Sequence, residues 1–341
     1  MNDALKAAVD QLRAGGHLTR EQTAVVFERI MSGELGDEQI EEFLAALADL
    51  GETADELVGA AEVMRRHVTR VPCDDPRAVD TCGTGGDGIS TFNVSTAAAV
   101  VAAAAGACVA KHGNRTNTRK SGSAEVLAAL GVNIDADVET VARCLREVRL
   151  GFLYAARLHP AMRHAAAARK KLARRTIFNL LGPLTNPAGV RRQVIGVASP
   201  SLLPLVAEAL RRLGAEHAFV VHGHDGLCDL TITGPSSYIE IRNDACRPGV
   251  LRPEDAGLST GDGGALRVSS PEESAAAIRA ILAGEPGPRR GHTLLNAAAT
   301  LVAAGVAADL TDGVLRAAAA IDSGAARETL TRLIALSHET T

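Results

Sequence analysis

A chain of 341 residues exceeds what one ordinary core requires and fits two domains at roughly 150 residues each. Its 46% apolar and 22% charged residues are ordinary globular proportions, which excludes wholesale disorder and a membrane-embedded bulk. Lys+Arg 36 against Asp+Glu 40 leaves a net charge of -4, so no bulk attraction to nucleic acid or anionic membrane is expected, and phosphate binding has to come from local geometry.

The N-terminal MNDALKAAVD carries no hydrophobic signal segment, and the longest apolar run, Ala97 to Ala110, falls short of the ~20 residues of a membrane span. A cytoplasmic protein is expected. The first part of the chain reads as three short helices. Thr19 and Gln22 form a capping box ahead of Val26, Phe27 and Ile30. Asp37 is placed to cap a second helix whose Ile40, Phe43, Leu44, Leu47 and Leu50 recur at helical spacing, with Gly51 as its stop. Thr53 and Glu56 form another capping box before Leu57, Ala61, Met64 and Val68. Pro72 marks a boundary, giving a helical domain over 1–72 and an α/β domain over 73–341.

From about Ala78, short apolar runs alternate with Ala-rich helical stretches: a strand near Val79, a helix from Ser95, a strand near Val109 and a helix from Ser123. Phe152 to Ala155, Ser201 to Leu213 and Ala218 to Val221 continue the alternation, which predicts βαβ units and a mainly parallel sheet flanked by helices. The six cysteines, Cys73, Cys82, Cys108, Cys144, Cys228 and Cys246, show no C-x-x-C pair. They read as reduced, mostly buried thiols rather than a zinc site or disulfide framework.

Chemistry concentrates in two stretches. The first, DTCGTGGDGISTFNVST at Asp80 to Thr96, joins a strand to a helix start. Gly83, Gly85 and Gly86 permit a sharp turn with amides converging on an anion, and Asn93, Ser95 and Thr96 stand where a helix offers spare N–H groups. Alone, such a stretch reads more readily as a tight turn before an ordinary N-cap; the clustered hydroxyls and Asp87 shift the balance toward an anion site. The second stretch is KHGNRTNTRKSGS at Lys111 to Ser123. Lys111 offers a point charge, and Asn114 and Ser123 neutral hydrogen bonds. His112 on its own is more often structural, yet two glycine-containing loops at one sheet edge suggest a shared pocket.

GTGGDGISTFNVST, KHGNR, SGSAEVLAALG and RTIFNLLGPLTNP at Arg175 to Pro187, together with the N-terminal helices and the C-terminal LLNAAATLVAAG, resemble the anthranilate phosphoribosyltransferases along nearly the whole chain. The resemblance implies a small helical domain, completed by part of 160–195, a larger α/β domain and a homodimer formed through the helical part. It implies magnesium as cofactor, with phosphoribosyl pyrophosphate and anthranilate as substrates. It places Gly83, Gly86, Asp87, Thr91, Asn93, Val94, Ser95, Thr96, Lys111 and Ser123 around the phosphoribosyl donor, and Asn114 and Arg169 around anthranilate, with His112 nearby. Lys111, Arg169 and Asn114 then carry catalysis by charge and positioning. Without the resemblance, Arg169 within RKKLARR reads as a solvated helix residue.

Departures from the family pattern stand in HGHDGLCDLT, where Cys228 and Asp229 occupy the places of an adjacent Asp and Glu that hold magnesium. A thiol serves a hard cation poorly, so Ser95 and Asp229 are expected to hold one ion and a second position to be weak, with Cys228 a doubtful ligand. Arg119 replaces a small hydroxyl residue, and Ala173 a glycine. The competing readings are a same-fold transferase or nucleoside phosphorylase with another aromatic acceptor, and a silent paralogue that binds nucleic acid; the net charge and complete phosphate loops oppose the latter.

Overall fold

The computed structural model describes residues 3–116 and 120–339; Arg119 lies outside them. The chain begins with four helices rather than the three expected: α1 (Asp3–Arg13), α2 (Arg20–Met31), α3 (Asp37–Leu50) and α4 (Ala54–His67). Helix α1 buries Leu5, Val9 and Leu12, a stripe too short among alanines to stand out in the sequence. Both capping boxes form. The Gln22 amide donates to Thr19 Oγ1 and the Thr19 amide to Gln22 Oε1; Glu56 and Thr53 repeat the exchange. The expected cap at Asp37 moves back one residue. Gly36 is the N-cap and its amide donates to Gln39 Oε1 at 3.0 Å, so Asp37 becomes the first helical residue, where its carboxylate faces the positive end of the helix.

The remainder runs β1 (Val79–Gly83), α5 (Val94–Ala104), β2 (Val109–Gly113), α6 (Ser123–Leu130), α7 (Val138–Arg143), β3 (Leu150–Tyr154), α8 (Ala155–Leu158), α9 (Arg163–Leu172), α10 (Phe178–Leu184), β4 (Arg192–Gly196), α11 (Leu202–Arg212), β5 (His217–Gly223), β6 (Ser236–Arg242) and β7 (Ala245–Leu251). Helices α12 (Pro271–Leu282), α13 (Pro288–Ala303), α14 (Leu310–Asp322) and α15 (Ala325–Ser337) close the chain. One sheet has the order β3-β2-β1-β4-β5-β6-β7, parallel through β5, with β6 and β7 added antiparallel.

Period-two alternation assigns the two faces. In β4, Val194 joins the core under α5 and α13, while Ile195 joins the core shared with the N-terminal helices; in β5, Phe219 and Val221 face the first, Ala218 and Val220 the second. Helix α9 packs on α3, and α10 on α4. Phe178 from α10 sits 5.4 Å from Phe27, which in turn contacts Phe43, so residues after 160 share the core of the first four helices. Strand order reverses at β1, with β2 and β3 to one side and β4 and β5 to the other. At such a switch point the loops leaving the C-terminal strand ends diverge and open a crevice. The glycine-rich loop leaves from there.

Candidate active site

Three loops from distant parts of the chain meet at this crevice. After β1, Gly85, Gly86 and Gly88 adopt φ of +64°, +88° and +69°, a backbone that L side chains rarely accept. Their amides have no hydrogen-bond partner among the described residues, which leaves a nest of donors for an anion. Lys120 and Ser121 dock on it: the Lys120 amide donates to Ser90 Oγ, and Ser121 Oγ to Asn93 Oδ1 at 2.5 Å. The third loop follows β5. The Cys228 amide donates to Asp87 Oδ2 at 3.2 Å, and its thiol points to the Gly85 carbonyl at 3.9 Å. This loop approaches β4 so closely that any Cβ at Gly196 would collide with the Cys228 backbone, so only glycine fits there.

Lys111 is the buried charge at the centre. Its ammonium donates to the Thr81 carbonyl at 2.8 Å and to Ser95 Oγ at 3.2 Å. Burial pulls the amine below its ordinary value, opposed by the negative charges of Asp80 and Asp229. Asp80, on β1, is fully buried; burial pushes its carboxyl up, and Lys111 opposes that shift. Its oxygens accept from the His112 amide at 3.0 Å and from Asn186 Nδ2 at 2.9 Å. These hydrogen bonds and the Lys111 ammonium offset part of the burial cost of the Asp80 carboxylate, and Asp80 in turn opposes the drop at Lys111.

The His112 ring is held on both sides. Nδ1 lies 3.1 Å from the Gly182 carbonyl, which requires it to donate, so Nε2 accepts from His159 Nε2 at 3.2 Å. Burial lowers His112 to about 3 and His159 to about 4, so both imidazoles are neutral at pH 7. Arg169, in the last turn of α9, is half-buried with its guanidinium carbon 5.1 Å from the centre of the Phe178 ring. No carboxylate pairs with it among the described residues, and burial lowers its pKa.

The individual expectations fare differently. Ser95 and Lys111 meet directly. Thr91 and Thr96 are buried with hydroxyls that have no partner among the described residues, and the Val94 side chain enters the core, leaving only its backbone for a ligand. The spare donors expected at the start of α5 are largely absent: the Val94 amide bonds Phe92 O, those of Thr96 and Ala97 bond Asn93 O, and the Asn93 amide bonds Ser274 Oγ. Asn93 is consequently a strut. Its Oδ1 accepts from Ser121 and Ser274, and its Nδ2 donates to the Ser121 carbonyl. Ser123 Oγ turns inward to the Asn114 carbonyl, while the Asn114 side chain is exposed and accepts from the Arg115 amide. Gly83 lies beside the Gly196 and Cys228 carbonyls, and Gly86 beside Ala198. Sequence reading missed Asp80, Ser121, His159, Asn186 and Ser274. A charged residue inside the buried strand start VDT was the available signal for Asp80.

Magnesium needs oxygen donors and few of them, since it retains waters and takes phosphate oxygens. Among the described residues no three His, Cys, Asp or Glu side chains converge on a metal. The Ser95 hydroxyl and the Asp229 carboxylate both lie near Lys111, with Asp87 across the loop; such a set suits one magnesium ion that a diphosphate completes. The Cys228 thiol is turned to a loop carbonyl.

This fold and site define a glycosyl transferase: residues 6–68 match the family described as "Glycosyl transferase family, helical bundle domain", and residues 75–327 the "Glycosyl transferase family, a/b domain". The chain is 52% identical to the anthranilate phosphoribosyltransferase of Anaeromyxobacter dehalogenans over 97% of its own length and 98% of the relative's. It is 51% identical to that of Chloroflexus aggregans over 98% of each. The crystal structure of anthranilate phosphoribosyltransferase from Thermus thermophilus superposes with a TM-score of 0.92 at 41% identity, covering 97% of this chain and 99% of that one. The Saccharomyces cerevisiae enzyme in complex with phosphoribosyl pyrophosphate and magnesium gives 0.90 at 27% identity over 99% and 98%. The chain belongs to the anthranilate phosphoribosyltransferase family.

Proposed function

We propose that the chain transfers the 5-phosphoribosyl group of phosphoribosyl pyrophosphate to the amine of anthranilate and releases pyrophosphate, with magnesium as cofactor, in tryptophan biosynthesis. The convergence of the glycine loop, the Lys120–Ser121 segment and the Cys228 loop around buried Lys111 carries this reading. In the reaction the C1–O bond breaks with its electron pair going to pyrophosphate, and the amine nitrogen forms the C1–N bond and releases a proton. Magnesium, when bound, neutralises charge on the diphosphate and would be held by Ser95 and Asp229. The Gly85, Gly86 and Gly88 amides donate to phosphate oxygens, and the Lys111 ammonium stabilises the charge that grows as the leaving group departs. Arg169 presents its fork to the aromatic carboxylate, and neutral His112 helps shape the acceptor side without adding a second cation. Among the described residues no group is poised as a covalent nucleophile, so catalysis rests on placement and electrostatics.

The helical part, 1–72 with part of 160–195, would close the acceptor side over the α/β part, 73–341. A homodimer through the helical part is supported by Val25 on α2, one of three large hydrophobic side chains exposed among the described residues. Among those residues no helix is long and apolar enough to cross a membrane, in keeping with a cytoplasmic enzyme. The direct test is loss of anthranilate fluorescence on adding the donor and magnesium. No loss at saturating donor, or no calorimetric uptake of the donor, overturns the proposal.

A further inference from the structure

Cys73 and Cys108 stand apart from the site just described. Cys73 lies on the connector between α4 and β1, which is tied to the rest of the molecule by the Thr69 amide to the Leu158 carbonyl and the Val71 amide to the Pro187 carbonyl. Cys108 immediately precedes β2, and its carbonyl accepts from the Val79 amide at the foot of β1. The two sulfurs are 4.0 Å apart, in van der Waals contact, and Cys108 Sγ also points to the Leu145 carbonyl. Val71, Ala78, Ala110, Val141 and Leu145 form the apolar pocket around them. Cys108 is buried, whereas Cys73 is partly open to solvent. The pair sits at the N-terminal ends of β1 and β2, opposite the strand ends from which the phosphate loops leave.

We propose that Cys73 and Cys108 form a peroxide-sensitive site, with Cys73 as the attacking thiol and Cys108 as the resolving thiol of a reversible disulfide. The sulfurs already touch and have about 2 Å to close to form a bond, and the apolar pocket holds both together. The hydrogen bond from Cys108 brings the Cys73 thiol down to about 7, which makes its thiolate abundant at neutral pH. Cys108 is pushed up, first by Cys73 and then by burial, and is inert until Cys73 reacts.

In the first step the Cys73 thiolate attacks a peroxide oxygen, the O–O bond breaks, and hydroxide leaves to become water, giving a sulfenic acid. This removes the charge that held Cys108 protonated. In the second, Cys108 sulfur attacks Cys73 sulfur, the S–O bond breaks, and hydroxyl leaves with the Cys108 proton as water. The two thiols together lose two electrons and two protons, and hydrogen peroxide is reduced to water. The bridge closes a loop containing β1, the glycine turn and α5, so it stabilises the oxidised chain mainly by restricting its unfolded state.

The test treats the full chain with hydrogen peroxide, blocks remaining thiols, and maps peptides without reductant. Expected are a Cys73–Cys108 linked peptide, a mass loss of about 2 Da, and a Tm rise of about 5 °C, all reversed by dithiothreitol. Cys108→Ser leaves Cys73 as a sulfenic acid captured by dimedone, Cys73→Ser abolishes both products, and Cys246→Ser changes neither. Direct conversion of Cys73 to sulfinic acid beside an unmodified Cys108, or a first reaction at exposed Cys246, overturns the assignment.

Discussion

Replacing Arg169 tests the acceptor side most directly. Its guanidinium is half-buried over the Phe178 ring and has no carboxylate partner among the described residues, so the fork is free for an incoming carboxylate. Two parallel charge-assisted hydrogen bonds contribute about 1.5 kcal/mol each at the lower end of their range, or about 3 kcal/mol together. At about 1.36 kcal/mol per tenfold, Arg169→Ala should lower kcat/KM for anthranilate by roughly 150-fold. Arg169→Lys keeps the charge and loses the fork, and should fall between, at roughly 30-fold. The contact with Phe178 adds about 0.5–1 kcal/mol of stability, so a small Tm decrease accompanies both variants. Steady-state fluorescence kinetics, varying each substrate with the other saturating, separates the effects. An equal fall in kcat/KM for the phosphoribosyl donor, or a lysine variant as impaired as alanine, refutes the role given to the fork.

Cys228→Asp returns a carboxylate to the loop that meets Asp87 and should lower the magnesium concentration for half-maximal activity; an unchanged magnesium titration argues that this position does not face the metal. Ala173 ends α9 in the left-handed region, at φ +49°, where a Cβ costs roughly 1–2 kcal/mol. Ala173→Gly relieves that strain against a smaller gain in unfolded-chain entropy and should raise Tm by about 1–3 °C, with a lower Tm counting against it. Acid should destabilise the fold through the histidine pair. His112 and His159 titrate near 3 and 4 when folded and near 6.5 when unfolded, so the unfolded chain binds the extra protons. The stability contributed by keeping them neutral is present above about pH 6.5 and is lost toward pH 4, at about 2 kcal/mol per imidazole between pH 6.5 and 5. Denaturant melts at those two pH values measure it, and His159→Asn should flatten the slope; an unaltered slope removes the pair as its source.

Local signals in the chain were sufficient for much of the architecture. The capping boxes at Thr19 and Thr53 act over three residues, and the glycine loop with its φ-permissive positions is written between a strand and a helix, so both are legible in order. The antiparallel strands β6 and β7 on one side of the sheet were not read, because their mixed polarity reflects exposure rather than a buried run. The Cys73–Cys108 contact leaves no spacing signature either, since 35 residues separate the two.

What residue order alone determined was therefore the inventory: the turn that makes an anion nest, the lysine two residues into the next strand, and the family motifs. Tertiary structure decided how each is used. Asn93 turned from a donor at a helix start into a strut because Ser274, 181 residues away, packs against it. Asp80 became the buried counter-charge of Lys111 because Asn186, 106 residues on, satisfies its second oxygen. Burial gives a polar group its energetic weight, and the partners that make burial tolerable come from segments whose proximity exists only once the sheet and its helices have closed.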